Sequence, residues 1–167
     1  RPRRQLRKGP EYAERLRRID RAVGTAGPNT TILFADETEL KRFPPLRRQW
    51  QPVGQQRRTY VPRQNEDFFL YGALDICSGD TYTRAFEKGR SDYTVQFLEL
   101  LCTQTTGKVL LIWDQASWHT SEEVQEALDR IGRIQTLLLP ARTPEANPVE
   151  DLWRELKRQI AACLARS

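Results

Sequence analysis

Apolar and polar positions follow two different periods along this chain, and together they predict a mixture of strands and helices. Short runs rich in β-branched and other apolar residues predict strands at residues 30–37, 67–76, 80–89, 108–113 and 133–140. A short edge strand is also predicted at 57–64, where a proline excludes a central position. Apolar residues three and four positions apart predict helices at 11–23, 91–105, 121–132 and 147–165.

The order of these elements predicts an α/β fold. The strands at 67–76 and 80–89 are separated by the turn sequence CSGD, which favours a hairpin. The later strands alternate with helices, as in parallel crossover units. We therefore expect a mixed five-stranded sheet with helices on both faces. Residues 42–56, rich in proline and glutamine, predict a loop.

Helix boundaries can be predicted from capping residues. Ser91 and Ser121 are the expected N-caps of two helices, and Gly132 is the expected stop of the second. Asn147 and Pro148 predict the start of the last helix, with the asparagine as N-cap and the proline at the first helical position.

The last helix has one apolar face. At about 100° per residue, its apolar side chains fall within an arc of about 120°. Glu150 lies about 40° beyond the edge of that arc, in the first turn, whereas Asp151 is rotated about 100° further and faces away. The apolar arc consists of Leu152, Trp153, Leu156, Ile160, Cys163 and Leu164.

Composition indicates a globular protein. The 167 residues are enough for one sizeable core, with 38% hydrophobic and 29% charged residues. No apolar run approaches the length of a membrane span, and three scattered cysteines without zinc-ligand spacing indicate a reducing compartment. We expect a cytoplasmic protein with no membrane partner. The sequence begins with Arg1 and contains no methionine, so we expect it to be part of a longer product.

Positive charge is concentrated in two segments of a chain whose net charge is +5. Residues 1–21 contain nine basic and three acidic residues, and residues 41–63 contain seven basic residues and no acid. Such stretches on an otherwise acidic domain indicate a polyanionic partner, with double-stranded DNA the leading candidate, although a solvated arm and loop would have the same composition. The expected phosphate contacts in the loop are Arg47, Arg48, Arg57 and Arg58.

Three carboxylates stand at the ends of predicted elements. Asp36 and Asp114 each close an apolar run that is expected to form a central strand, and we expect these two strands to be neighbours in the sheet. Glu150 lies in the first turn of the last helix. Ligand sites of open α/β sheets lie at the carboxyl ends of strands, so these side chains are expected to converge. Three carboxylates suit Mg²⁺ or Mn²⁺, and two such ions about 4 Å apart would suit phosphodiester chemistry. Taken singly, Asp36 could be a turn residue and Glu150 could complement the helix dipole.

Three sequence blocks resemble those of DDE transposase catalytic domains in the Tc/mariner superfamily, in its bacterial insertion-sequence branch. They are FADE at 34–37, WDQASWH at 113–119 and LPARTPEANPVEDLWRELK at 139–157. The segment at 47–60 also resembles the family's W-x-x-x-G region. Between the second and third carboxylates lie 35 residues, close to the family's spacing. Two departures are the glutamine after the second aspartate and the run PARTP, where the family commonly has asparagine and Pro-Tyr-Ser-Pro.

The resemblance implies a ribonuclease-H-like fold and a metal-dependent DNA endonuclease and strand transferase. It implies that Asp36 bridges two metal ions, that Asp114 binds one and that Glu150 binds the other. The activity implied is cutting DNA at element ends and joining the freed 3′-hydroxyl to target DNA. It further implies association with the nucleoid when the protein is bound to DNA, and it allows for a homodimer on DNA. We assign residues 1–28 to a basic helical arm or linker and 29–167 to the catalytic domain, without the family's helix-turn-helix region.

Other residues in the blocks have two interpretations each. His119 and Gln115 could support the metal ligands, and for His119 a plain loop position is as good an interpretation. Glu37 is expected to point to the opposite face from Asp36, in a surface role. Arg154 and Lys157 could contact phosphates or simply be solvated. The tryptophans Trp113, Trp118 and Trp153 are interpreted as packing residues.

Two alternative functions remain open from the sequence. The first is a non-catalytic DNA-binding relic of a transposase with the same fold, which the intact carboxylates argue against. The second is a host nuclease of the same fold, which would not be expected to have the block NPVEDLW.

Overall fold

The computed structural model describes residues 10–41, 52–54 and 67–164. These residues form five strands and four α-helices, with a short 3-10 turn at Pro144–Ala146. The predicted loop, apart from residues 52–54, and the predicted edge strand at 57–64 lie outside the described residues. The elements, in chain order, are α1 (Pro10–Gly24), β1 (Thr30–Lys41), β2 (Asp67–Asp75), β3 (Thr81–Phe86), α2 (Ser91–Gln104), β4 (Lys108–Trp113), α3 (Glu122–Ile131), β5 (Ile134–Leu138) and α4 (Val149–Leu164).

The strands form one mixed sheet in the order β3-β2-β1-β4-β5. β1, β4 and β5 are parallel, while β2 and β3 join as an antiparallel meander on the other side of β1. The predicted mixed five-stranded sheet is therefore confirmed, and so is the expectation that Asp36 and Asp114 come from neighbouring central strands.

Helices cover both faces of the sheet, which explains why residues 32–35 of β1 and 109–113 of β4 are apolar and buried at successive positions. Successive side chains of a strand point to opposite faces. Leu33 and Ala35 pack with α2 and α3 in one buried cluster, and Ile32 and Phe34 pack with α1 and α4 in the other. α1 joins the second cluster through Ile19, which is buried. Within the described residues, no helix is long and apolar enough to cross a membrane.

β1 extends further than predicted. The sequence suggested that Asp36 closes the strand, but β1 continues to Lys41 because it stays paired with β2 as far as the partners Lys41 and Asp67. Its parallel ladder with β4 ends earlier, at the pair Phe34 and Ile112. Asp36 therefore lies just beyond the end of the parallel ladder, while still inside a strand, and its backbone is held more firmly than that of a turn residue.

The predicted helix ends are partly confirmed. Gly132 ends α3 in the left-handed conformation with φ 70°, as expected. Ser121 occupies the N-cap position of α3, but its side chain makes no capping hydrogen bond. For α2 the prediction was wrong, because Arg90 is the N-cap in an extended conformation and Ser91 is already helical. The carbonyl of Arg90 instead accepts hydrogen bonds from the backbone N–H and the hydroxyl of Thr94.

Candidate active site

The three predicted carboxylates line one cavity of about 350 Å³. Asp36 comes from β1, Asp114 follows the last residue of β4, and Glu150 lies in the first turn of α4. The cavity thus opens where the parallel strands end and the last helix begins, which is where open α/β sheets place their sites. Its remaining lining residues are Gln115, Ala116, Leu139, Pro140, Ala141, Arg142, Thr143, Pro144 and Asn147.

Asp36 is held by a tryptophan of α4. Trp153 is 3% exposed, and its indole Nε1 donates a hydrogen bond of 3.1 Å to Asp36 Oδ2. The ring lies across Gly72, the β2 partner of Asp36, where an added Cβ would come within 2.3 Å of it. Trp153 was predicted to be a packing residue. It does pack, but it also fixes one oxygen of the first carboxylate.

The start of α4 is fastened to β1 beside Asp36. Asn147 Oδ1 accepts a hydrogen bond from the backbone N–H of Val149, so the predicted capping role is confirmed. Asn147 Nδ2 donates to the carbonyl of Ala35 at 3.0 Å. Because Asn147 is 5% exposed and both bonds are buried, the first turn carrying Glu150 has a defined position against the strand.

The protein contacts to the Asp114 carboxylate fall on one of its oxygens, and His119 Nδ1 also lies 3.3 Å from the Asp114 backbone carbonyl. The backbone N–H of Ala116 donates to Asp114 Oδ1 at 2.9 Å, and His119 Nδ1 lies 2.9 Å from the same oxygen. The hydrogen bond from His119 is the main reason that the pKa of Asp114 lies below its usual range. Asp114 is therefore ionised at neutral pH.

His119 bridges Asp114 and Glu37. Its ring is 2% exposed and stacks on Trp113 with centroids 4.4 Å apart. Nε2 lies 2.7 Å from Glu37 Oε1, which also accepts a hydrogen bond of 3.4 Å from Trp118 Nε1. Burial opposes the charged ring, but the hydrogen bonds to both carboxylates outweigh it and raise the pKa of His119 to about 9.

The surface role predicted for Glu37 was wrong. The side chain does point to the opposite face from Asp36, as strand geometry requires, but it is only 9% exposed. It is covered because the loop after β4 brings Trp118 and His119 over this end of β1. The opposite face is thus a second buried layer and not open surface.

The pKa of Asp36 is shifted in the opposite direction to that of Asp114. Its pKa is raised to about 7, first by burial and then by the negative charges of Glu37, Glu150 and Asp114. A cation placed among these carboxylates would offset that repulsion. Within the described residues, no three His, Cys, Asp or Glu side chains lie close enough to hold a metal ion as they stand. Like charges without a cation keep apart, and an all-oxygen donor set fits Mg²⁺ or Mn²⁺.

The remaining predicted site residues occupy several places. Gln115 lines the cavity and donates through Nε2 to the carbonyl of Leu139 at 2.8 Å, joining the ends of β4 and β5. Arg154 is exposed and forms an ion pair with Asp151, which faces away from the cavity as predicted. Lys157 is exposed on the same helix. The loop arginines Arg47, Arg48, Arg57 and Arg58 lie outside the described residues.

Arg142 was not predicted to be a site residue. This residue lines the carboxylate cavity in a left-handed backbone conformation with φ 59°, which is uncommon for a residue other than glycine. Its turn is held by Thr143, whose hydroxyl donates to the carbonyl of Pro140 at 2.6 Å. The run PARTP, noted only as a departure from the family pattern, was the signal available in the sequence.

Sequence comparisons find a family and relatives to which this chain is similar. A family model described as "DDE superfamily endonuclease" matches residues 31–166. The insertion element IS630 uncharacterized 39 kDa protein of Shigella sonnei is 30% identical over 156 residues, which are 90% of this chain and 45% of that protein. An uncharacterized protein of Sinorhizobium fredii (strain NBRC 101917 / NGR234) is 38% identical over 48 residues, which are 29% of this chain and 33% of that protein.

Solved structures show the fold. The Mos1 transposase paired-end complex with left transposon end matches with a TM-score of 0.65 and 17% identity, covering 89% of this chain and 47% of that chain. The Mos1 strand transfer complex matches with a TM-score of 0.65 and 16% identity, covering 89% and 46%. This chain thus spans less than half the length of these relatives, and the predicted ribonuclease-H-like fold is confirmed. With a family model that matches nearly the whole chain, the protein belongs to the DDE superfamily endonuclease family.

Proposed function

We propose that this chain is the catalytic domain of a metal-dependent DNA transposase, which cuts phosphodiesters at element ends and joins the freed 3′-hydroxyl to target DNA. The observation that carries the proposal is the convergence of Asp36, Asp114 and Glu150 on one cavity from three different elements. Residues 29–167 would form this domain, with residues 1–28 as a basic arm or linker. The similar Mos1 structures, a paired-end complex with the left transposon end and a strand transfer complex, support the reaction class.

The three carboxylates would hold two Mg²⁺ or Mn²⁺ ions. When bound, the ions supply activation of the attacking oxygen and stabilisation of the charge that develops at phosphorus. The protein's own contribution is the placement and charge of the ligands. Asp114 is already ionised because of its hydrogen bond from His119, whereas Asp36, with a pKa of about 7, releases its proton only near neutral pH. Asp36 is thus the carboxylate whose charge state depends most on a bound cation.

Plasmid nicking tests the catalytic role. Wild type should convert supercoiled plasmid to nicked circles in the presence of Mn²⁺ and not in the presence of a chelator. Asp36→Asn, Asp114→Asn and Glu150→Gln should each lower the rate by on the order of a hundredfold or more. The matched control is Asp151→Asn, an exposed carboxylate next to Glu150 that faces away from the cavity and pairs with Arg154. It should nick at the wild-type rate.

Two outcomes would overturn the proposal. Equal nicking by wild type and all three carboxylate variants would mean that these residues do no chemistry. DNA binding without any Mn²⁺-dependent nicking by wild type would identify a non-catalytic DNA-binding relative.

DNA binding is tested separately from cutting. Replacing Arg47, Arg48, Arg57 and Arg58 together by alanine should weaken binding to all sequences alike, because phosphate contacts carry no sequence information. Each lost contact should remove roughly 0.9 from the slope of log affinity against log salt concentration. Arg130→Ala is the control, since Arg130 pairs with Glu99 on the sheet face opposite α4. An unchanged salt slope for the four-arginine variant would show that the loop is only solvated surface.

A further inference from the structure

His119 does not line the carboxylate cavity, yet it contacts Asp114 directly. Both of its ring nitrogens face carboxylate oxygens, with Nδ1 2.9 Å from Asp114 Oδ1 and Nε2 2.7 Å from Glu37 Oε1. An imidazolium has two N–H donors and a carboxylate oxygen accepts, so the doubly protonated ring suits this pair of contacts. With both nitrogens occupied, His119 has no lone pair left to bind a metal ion.

We propose that His119 and Glu37 are positioning residues that hold Asp114 in one orientation, with Oδ1 engaged by the protein and Oδ2 presented to a divalent cation. This inference rests on the proposed function, because it assigns the orientation of a metal ligand. The backbone N–H of Ala116 donates to Asp114 Oδ1, and His119 Nδ1 lies 2.9 Å from that same oxygen and 3.3 Å from the Asp114 backbone carbonyl, so the contacts to the carboxylate fall on Oδ1. Groups that hydrogen-bond metal ligands fix their orientation and change metal affinity when they are replaced.

The support beneath Asp114 is rigid and buried. The His119 ring stacks on Trp113 at an interplanar angle of 2° and meets the edge of Trp118. Glu37 is 9% exposed and receives a second hydrogen bond from Trp118. Burying a carboxylate and an imidazolium costs free energy unless they are paired, so the pair must be kept together once it is covered.

The β1 segment that contains Asp36 and Glu37 therefore helps to position both Asp36 and Asp114. Asp36 and Glu37 are consecutive in β1 and point to opposite faces of the sheet. Asp36 faces the cavity directly, while Glu37 acts on Asp114 through His119, around the carboxyl end of β4. A displacement of this segment would disturb the two ligands together.

Two substitutions at His119 separate positioning from packing. The side-chain amide of asparagine can place its nitrogen where Nδ1 lies, so His119→Asn retains a donor to Asp114 and loses contact with Glu37. The longer glutamine places its nitrogen near Nε2, so His119→Gln retains contact with Glu37 and loses the donor to Asp114. Both variants remove the buried ring from Trp113, so a role in packing alone predicts similar effects from the two.

The measurement is the affinity of the purified chain for Mn²⁺ alone, determined by calorimetry or by the electron paramagnetic resonance signal of free Mn²⁺. His119→Gln should weaken binding by about ten- to a hundredfold. His119→Asn should bind much closer to wild type. Circular dichroism of each metal-free variant verifies that it is folded. Equal weakening by the two variants, or wild-type affinity in His119→Gln, would overturn the proposal.

A second pair of variants keeps the test decisive if a buried His119 variant does not fold. Glu37→Gln removes the charge that anchors His119, and should weaken Mn²⁺ binding several-fold. Glu39→Gln is its matched control, because Glu39 lies two residues further along β1, is exposed and pairs with Lys41. Wild-type Mn²⁺ affinity in Glu37→Gln would refute the positioning role of Glu37.

Asp114→Asn distinguishes failure of this inference from failure of the proposed function. If Asp114→Asn loses Mn²⁺ binding while His119→Gln retains it, the metal site is supported and the positioning role of His119 is refuted. If Asp114→Asn binds Mn²⁺ as wild type does, or if wild type binds none, the metal site itself is wrong.

Discussion

Asp36→Asn should stabilise the metal-free protein at pH 8, although the same change should abolish nicking. The reason is that the folded protein holds a buried carboxylate close to three others, which raises the pKa of Asp36 from 3.8 to about 7. Each unit by which a pKa moves corresponds to about 1.4 kcal/mol, so ionising Asp36 costs the folded state at most on the order of 4 kcal/mol. Asparagine has no charge to bury, and its side-chain oxygen can still accept the hydrogen bond from Trp153.

The stability gained by Asp36→Asn should increase with pH. Because the pKa of Asp36 is higher in the folded state, its contribution to stability is complete below 3.8 and is lost as the pH rises through about 7. The free energy of unfolding of the variant should therefore exceed that of wild type by little at pH 4. The difference should grow up to pH 7 and then stay constant at about 2 to 4 kcal/mol.

Urea unfolding with a chelator present, followed by tryptophan fluorescence, measures this difference at each pH. Asp151→Asn is the control, since this exposed carboxylate on α4 faces away from the cavity. Added Mn²⁺ should stabilise wild type and leave Asp36→Asn unchanged, because a ligand that binds only the folded state raises its stability. A difference that is the same at pH 4 and pH 8, or absent at both, would refute the assigned electrostatics.

Two further predictions concern the packing that supports the site. Gly72→Ala should destabilise the fold by about 1–3 kcal/mol, because the new methyl group would overlap the Trp153 ring. Urea unfolding measures this loss of stability. The control is Gly24→Ala, which should cost much less because the space around Gly24 is open. Asn147→Ala should cost about 1–3 kcal/mol, since it leaves the Ala35 carbonyl and a helix N–H without their buried partner. An unfolding free energy of Asn147→Ala equal to that of wild type would contradict the role of Asn147 in fastening the helix start.

The parts of the site that follow from local patterns could be predicted from the sequence. Two apolar strands ending near Asp36 and Asp114 predicted neighbouring central strands, because only a strand covered on both faces is apolar throughout. The pair Asn147 and Pro148 located the start of the last helix to within a residue, and helical periodicity placed Glu150 at the edge of its packed face.

The parts that depend on distant contacts could not be predicted in the same way. Strand alternation put Glu37 on the correct face, but its burial depends on His119, which lies 82 positions further along the chain. The hydrogen bond from Trp153 to Asp36 spans 117 positions. Apolar periodicity identifies a tryptophan as a packing residue and says nothing of where its N–H points. The unexpected length of β1 has the same origin, since pairing with β2 sustains it.

The last helix links both sides of the carboxylate cavity mechanically. Glu150 of α4 lines the cavity. Less than one turn later along α4, Trp153 donates a hydrogen bond to Asp36 and lies across Gly72. A tilt or slide of α4 as a rigid body therefore moves Glu150 and, at the same time, the Trp153 N–H that is hydrogen-bonded to Asp36. The position of Glu150 relative to Asp36 therefore depends on how α4 is seated on the sheet. A substitution on the buried face of α4 that shifts the helix can then change the arrangement of the carboxylates without replacing any of them.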